Sequence, residues 1–190
     1  MIVWLNGTFG VGKTTVAREL IGLLPGTRLF DTEWVGYMLA ENFRDHEITD
    51  FQQLPPWRSL VPLVLAEVTR FTGQHLVVAQ SVLDVDYWTE LRDGLDRCSL
   101  ELLHVVLHAD EAVLTARIDG DTVESGARQW RLDHRSSYTA ARRWLDESAD
   151  LVVDTTVLPA PDVATRIAAA PGSPPPVTSA GPSAHRRSTC

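Results

Sequence analysis

Residues 1–15 read MIVWLNGTFGVGKTT, and what those positions can do decides the rest of the chain. Ile2 to Leu5 is an apolar run of the kind that forms a buried parallel strand, and it stops at Asn6-Gly7. Gly7-Thr8-Phe9-Gly10-Val11-Gly12-Lys13-Thr14 fits the pattern G-x-x-x-x-G-K-[ST], and helical periodicity opens at Thr15. A strand, a glycine-rich loop and a helix in that order predict a phosphate-binding loop.

The chemistry needs these residue types. Glycines at positions 7, 10 and 12 permit backbone conformations closed to other side chains, so that successive N–H groups converge on one anion. The helix that begins near Lys13 turns its positive dipole end toward the same point. Lys13 supplies a mobile cation for the outer phosphates, and the Thr14 hydroxyl is of the type that ligates Mg²⁺. ATP with Mg²⁺ is the expected cofactor pair.

Bulk properties narrow the class. The 190 residues are 44% hydrophobic and 22% charged, which suits one domain with a substantial core. A net charge of -8 argues against a nucleic-acid partner, since such proteins carry a basic field, and favours a small substrate. Cys98 and Cys190 are too far apart in sequence for a disulfide framework or zinc spacing, so a reducing cytoplasmic setting is expected. No basic leader precedes the first strand, and no apolar run approaches the ~18 residues of a membrane span. The composition leaves monomer and homodimer equally open.

Along the chain, helical periodicity covers Lys13 to Leu24 and ends at Pro25-Gly26. Thr27 to Phe30 reads as a second strand, with Asp31 at its carboxyl end, the edge where open α/β sheets bind ligands. Asp31-Thr32-Glu33 equally suits the cap of the next helix, Trp34 to Phe43. Pro55-Pro56 introduces a long helix from Trp57 to Thr72, closed by Gly73, and His75 to Ser81 is a third strand. A helix over Asp84 to Arg97, a strand over Leu100 to Leu107 and a helix over Asp110 to Ile118 follow. After a polar stretch come a helix from Ala127 to Asp146, a strand over Leu151 to Val153 and a last helix from Pro159 to Ala169. Residues 171–190 hold hardly any large apolar group, so a flexible tail is expected there. The alternation predicts a three-layer α/β P-loop fold of five parallel strands with helices on both faces, spanning residues 1–170.

The motifs Val3 to Thr14 (VWLNGTFGVGKT), Phe30 to Gly36 (FDTEWVG), Asp50 to Arg58 (DFQQLPPWR) and Val153 to Thr156 (VDTT) carry a resemblance. The chain resembles the small P-loop kinases, such as shikimate, gluconate, chloramphenicol and nucleoside-monophosphate kinases, and within them the bacterial tunicamycin-resistance proteins. The resemblance implies sheet order 2-3-1-4-5, a lid over about residues 119–136, and phosphoryl transfer from ATP to a hydroxyl of a small molecule, plausibly a nucleoside antibiotic such as tunicamycin. Sequestration of the drug without chemistry, a nucleotide or metabolite kinase, and a nucleotide-driven switch are the alternatives.

The resemblance also implies roles. Asp31 stands where similar kinases carry an aspartate, either as the base for the acceptor hydroxyl or as a partner of Mg²⁺ through water. Glu33 is a second carboxylate of that segment, though a favourable charge at a helix start is reason enough for it. Arg117 would lie near the adenine, with the backbone around Thr155. Arg128, Arg131 and Arg135, spaced along one helical face, are the lid arginines that could meet the transferring phosphoryl group, while Arg142 and Arg143 suit a solvated face. The sequence departs from many P-loop proteins at the end of the third strand, where Ala79-Gln80-Ser81 stands without an acidic residue. The acceptor would use the segment before that strand, with Trp34, Tyr37, Trp57, Arg58 and Gln80 as contacts, although about half of its aromatic groups are equally suited to the core. The six histidines have no metal spacing; His104 and His108 share one face of a strand.

Overall fold

The structure, a computed structural model, describes residues 1–120 and 135–175. Five strands form one sheet: β1 (Ile2–Asn6), β2 (Thr27–Phe30), β3 (His75–Ala79), β4 (Leu102–His108) and β5 (Leu151–Asp154). Their order is β2-β3-β1-β4-β5. Every pairing is parallel, with Ile2 beside both Leu76 and Leu102. The order implied by the resemblance is therefore the order found.

Among the described residues the helices are α1 (Lys13–Leu23), α2 (Glu33–Asn42), α3 (Pro55–Thr72), α4 (Val85–Arg97), α5 (Glu111–Asp119), α6 (Arg135–Ser148) and α7 (Ala160–Ala168). A single 3₁₀ turn, Phe51–Gln53, precedes α3. Because alternate strand residues point to opposite faces, β1 feeds two cores at once. Val3 and Leu5 pack with Val16, Leu20, Leu114 and Ile167 of α1, α5 and α7. Ile2 and Trp4 pack on the other face with Trp57, Leu65, Trp88 and Leu95 of α3 and α4. Beside them Tyr138, Ala141 and Leu145 of α6 cover Val106. Strands clothed on both sides read as continuous apolar runs for this reason.

Element ends follow local chemistry. The Asp84 carboxylate accepts from the N–H groups of Asp86 and Tyr87 at 2.9 and 3.1 Å and so caps α4. Gly73 closes α3 in the left-handed region, with φ of 68°. At the start of the expected tail the Ser173 N–H bonds to the Ala170 carbonyl at 3.1 Å and Pro174 is buried. Residues 176–190 of that tail, and 121–134 of the expected lid, lie outside the described residues. No described helix is long and apolar enough to cross a membrane.

Candidate active site

The carboxyl ends of β1 and β3 and the first turns of α1 and α2 meet at one cavity of about 690 Å³. Phe9 to Val16 form its floor, Glu33 and Gln80-Ser81 one wall, and Arg117, Thr155, Leu158 and Pro159 the other. This is the size and the sheet edge at which open α/β folds hold ligands.

Backbone geometry explains the loop. Gly7 has φ of 131°, and a Cβ there would stand 2.4 Å from the Leu107 carbonyl oxygen, so no other residue fits between β1 and β4. Gly12, with φ of 98°, turns the chain into α1 with open space beside it. Lys13 reaches back along the loop, its amino group donating to the carbonyls of Gly7 at 3.1 Å and Thr8 at 2.8 Å and lying 5.5 Å from the centre of the Phe9 ring. Thr14 and Thr15 are exposed in the cavity. The Thr8 and Ser81 hydroxyls are buried without a hydrogen-bond partner among the described residues. A cradle that side chains cannot fill, a helix start, a lysine on a flexible stem and two threonine hydroxyls are the donor set that triphosphate and Mg²⁺ require, so the residues fit both.

A buried asparagine fixes the loop to its neighbour. Asn6 accepts with its side-chain oxygen from the N–H groups of Gly7 at 2.8 Å and Val82 at 2.9 Å, and its amide donates to the Val82 carbonyl at 3.1 Å. The same amide nitrogen lies 3.4 Å from His104 Nε2. Since the amide can only donate, Nε2 accepts and the imidazole proton sits on Nδ1, directed to the Ser148 carbonyl at 3.1 Å. Burial pushes the His104 pKa down to about 4, and the ring stays neutral. Asn6 was read from sequence only as the stop of a strand; a polar residue closing an apolar strand ahead of the glycines was the available signal.

The far wall is a clasp. Arg117 donates to the Thr155 hydroxyl at 3.1 Å and its carbonyl at 2.8 Å, and the Thr155 hydroxyl donates to the Val11 carbonyl at 3.0 Å. Arg117 and Thr155 thus come together beside the loop, with Leu158 and Pro159 offering apolar surface for a flat ring. Arg18, on the exposed side of α1, also lines the cavity and was not singled out from sequence. It lies four to five residues after Lys13 and Thr14, one helical turn along the same face.

The two carboxylates take different places. Asp31 is exposed at the end of β2, accepts from the Glu33 N–H at 2.9 Å, and is not among the residues lining the cavity. Glu33 does line it, and it accepts from the Tyr37 hydroxyl at 3.2 Å. Gln80 lines it too, its side-chain oxygen taking the Thr32 hydroxyl at 2.9 Å. Trp34 and Tyr37 stand 69% and 50% exposed on the same turns of α2 as Glu33, Tyr37 packed edge-on against Phe51 at 5.2 Å. They form an aromatic ledge next to the cavity.

Two expected substrate contacts, Trp57 and Arg58, are not among the residues lining the cavity. Trp57 is 1% exposed in the core, and its indole N–H donates to the Thr32 carbonyl at 3.1 Å, because a helix entering over the sheet must bury its first large ring. Arg58 is 7% exposed, and its ion pair is with Glu90 and not with Asp31 or Glu33. It bonds Glu90 of α4 at 2.7 and 3.3 Å, donates to the Gln52 carbonyl, and stacks over the Tyr87 ring at 4.2 Å. That neighbourhood is why an arginine is tolerated at a helix start, against the dipole. Arg128 and Arg131 lie outside the described residues, and Arg135 opens α6. Arg142 and Arg143 pair with Asp146 and Glu147 one turn on, as a solvated face would. His108 is buried between Tyr138 and Asp146, and burial pushes the Tyr138 pKa up to about 12. Among the described residues no group of histidines, cysteines and acids could hold a metal ion by itself.

Comparison with known proteins agrees with this fold. The sequence profile of the family described as AAA domain matches residues 2–129. No curated protein sequence matches the chain significantly. Among solved structures, the tunicamycin resistance protein of Deinococcus radiodurans is 29% identical, with a TM-score of 0.67 over 92% of this chain and 99% of that one. A sugar kinase from a Janibacter species is 19% identical, with a TM-score of 0.62 over 89% and 92% of the two chains. Shikimate kinase from Acinetobacter baumannii, solved in complex with shikimate, is 21% identical, with a TM-score of 0.54 over 87% and 89%. The two kinases share the fold with this chain.

Proposed function

Because the chain belongs to the AAA domain family, in its kinase-like P-loop form, we propose that it is an ATP-dependent phosphotransferase acting on a hydroxyl of a small molecule. The observation that carries this reading is one cavity lined by both the Lys13 loop and Glu33, with the Tyr37 hydroxyl bonded to Glu33 and Trp34 exposed beside it on α2. Likeness to a tunicamycin resistance protein at 29% identity makes a nucleoside antibiotic the first acceptor to try.

In this reading the adenine lies in the slot between Arg117, Thr155 and Leu158, and the phosphates lie on the backbone N–H groups of the loop. Lys13 leaves the carbonyls of Gly7 and Thr8 for the outer phosphates, an exchange its four-carbon stem permits. Thr14 would hold Mg²⁺, which when bound would neutralise charge on the phosphates. Trp34 and Tyr37 hold a ring of the acceptor. The acceptor oxygen then bonds to the γ-phosphorus as the bond to the β-phosphate oxygen breaks, and the hydroxyl proton passes to a carboxylate. Glu33 takes that proton, since it lines the cavity, and Asp31 serves it by ordering the first turn of α2. Arg128, Arg131 and Arg135 are the candidates for meeting charge on the phosphoryl group in flight.

Incubation with γ-labelled ATP and a panel of hydroxyl-bearing nucleoside antibiotics and sugars tests the proposal. Label should pass to at least one acceptor, and Glu33→Gln should slow that transfer at least 10²-fold, the usual contribution of a positioned base. Failure of every acceptor while ATP binds normally would overturn it. A second reading, capture of the drug without chemistry, is favoured by the uncharged Ala79-Gln80-Ser81 end of β3. Cellular resistance that survives both Asp31→Asn and Glu33→Gln would select it.

A further inference from the structure

Trp4, Trp57 and Trp88 are buried together on the α3–α4 side of the sheet. Trp4 gives its indole N–H to the Gln80 carbonyl at 3.1 Å, and Trp57 gives its own to the Thr32 carbonyl at 3.1 Å. Trp88 is 3% exposed, yet its N–H has no partner among the described residues. Buried polar groups are nearly always bonded, so an orphaned donor calls for a ligand or an ordered water. Trp88 lines a groove of about 580 Å³ between α4 and α6, with Arg92, Asp93 and Asp96 on one side and Trp144 and Ser148 on the other. That volume is within the range of small-molecule sites. No ion pair among the described residues uses Arg92, Asp93 or Asp96, whereas Glu147 on the opposite lip is bonded to Arg143 at 2.8 Å. Arg92 stands one helical turn after Trp88 and one before Asp96, so indole, guanidinium and carboxylate form a row along α4.

An available cation, available carboxylates and ring surface in one groove describe the ligand they would suit. We propose that the groove between α4 and α6 is a second binding site, for a free aromatic amino acid in its zwitterionic form. The ligand carboxylate takes the Arg92 guanidinium and the Trp88 N–H, its ammonium pairs with Asp93 and Asp96, and its ring packs on Trp144. The groove shares no lining residue with the cavity at the phosphate loop, so this site stands whatever that loop binds. It is nonetheless connected to the loop. The Trp88 ring lies 4.1 Å from the His104 ring between centroids, and the Ser148 carbonyl holds His104 Nδ1 at 3.1 Å. His104 contacts Asn6, and Asn6 holds Gly7. Two residues of the groove therefore orient the histidine that leads to the loop, and an occupant is felt at Gly7 through contiguous contacts.

The test is a nuclear magnetic resonance titration of the full ¹⁵N-labelled chain with phenylalanine, with phenethylamine, which lacks the carboxylate, and with 3-phenylpropanoate, which lacks the ammonium. The Trp88 indole resonance is identified by its loss in Trp88→Phe. Phenylalanine should shift that resonance with a Kd of about 1 mM, the affinity expected of a ligand this small, and each truncated probe should bind at least about fivefold more weakly. Arg92, Asp93 and Asp96 are exposed, so substitutions there leave the core intact. Arg92→Gln should abolish the preference for phenylalanine over phenethylamine, and Asp93→Asn with Asp96→Asn should abolish the preference over 3-phenylpropanoate. The Gly7 amide should move over the same titration as the indole. An indole resonance unmoved by phenylalanine up to about 20 mM, or equal binding of all three probes, overturns the site. A Gly7 amide that stays still while the indole shifts overturns its connection to the loop.

Discussion

Replacing Arg58 by alanine removes four things at once: two bonds to Glu90, one to the Gln52 carbonyl, the contact over Tyr87 and the packing of a buried stem. Glu90 is 51% exposed, so the carboxylate left behind regains water and its side of the loss is discounted to below about 1 kcal/mol. The stacked cation contributes about 1 kcal/mol and the bond to the buried carbonyl about 1 kcal/mol. Packing of the stem contributes about 1 kcal/mol more. Destabilisation of about 3 kcal/mol follows, which for a chain of this size lowers the melting temperature by about 6 to 12 °C. Calorimetry on wild type, Arg58→Ala and Glu90→Gln reads it directly, with Glu90→Gln expected to lose no more than about 1 kcal/mol. Arg58→Lys should recover less than half, because an ammonium cannot make the forked contact. A melting temperature for Arg58→Ala within 2 °C of wild type, in a variant that no longer binds acceptor, would refute the structural role and return Arg58 to the substrate site.

His104 has its pKa lowered from 6.5 to about 4 by burial, so the unfolded chain binds more protons than the folded one between those values. The stability due to this histidine is therefore fully present above pH 6.5 and falls by about 3 kcal/mol as the pH drops toward 4, a slope that urea titrations should find flattened in His104→Gln. Gly7→Ala sets a Cβ against the Leu107 carbonyl and should abolish ATP binding in a filter assay while costing at least about 2 kcal/mol of stability. Trp34→Ala removes a ring that is 69% exposed, so the melting temperature should stay within about 1 °C while the KM for acceptor rises about tenfold.

The inner strands of the sheet were legible because each carries its own signal. Val3-Trp4-Leu5 and Leu76-Val77-Val78 are buried on both faces and need no distant partner to be recognised. Glycines with positive φ announced the phosphate loop in the same way, since their reason is local. What escaped was set by long-range neighbours. Nothing near Arg58 in sequence points to Glu90, thirty-two positions away, and an arginine among aromatic residues looks the same whether it awaits a substrate or another helix. Asp31 and Glu33 are two residues apart, and the turn between them decides which one faces the cavity. Sequence spacing does not fix such a turn.

Asn6-Gly7 is also a chemical clock. An asparagine followed by glycine is the pair most prone to deamidation, through attack of the glycine nitrogen on the side-chain carbonyl carbon. In the folded protein that nitrogen already donates its hydrogen to the oxygen of the same side chain, and both residues are buried. Ageing at this bond is thereby confined to molecules that have opened. Each such event exchanges the amide for a carboxylate, which loses the donor to Val82 and sets a negative charge under the glycine loop. The fraction of aspartate and isoaspartate at position 6 in an old preparation records how long its molecules have spent unfolded.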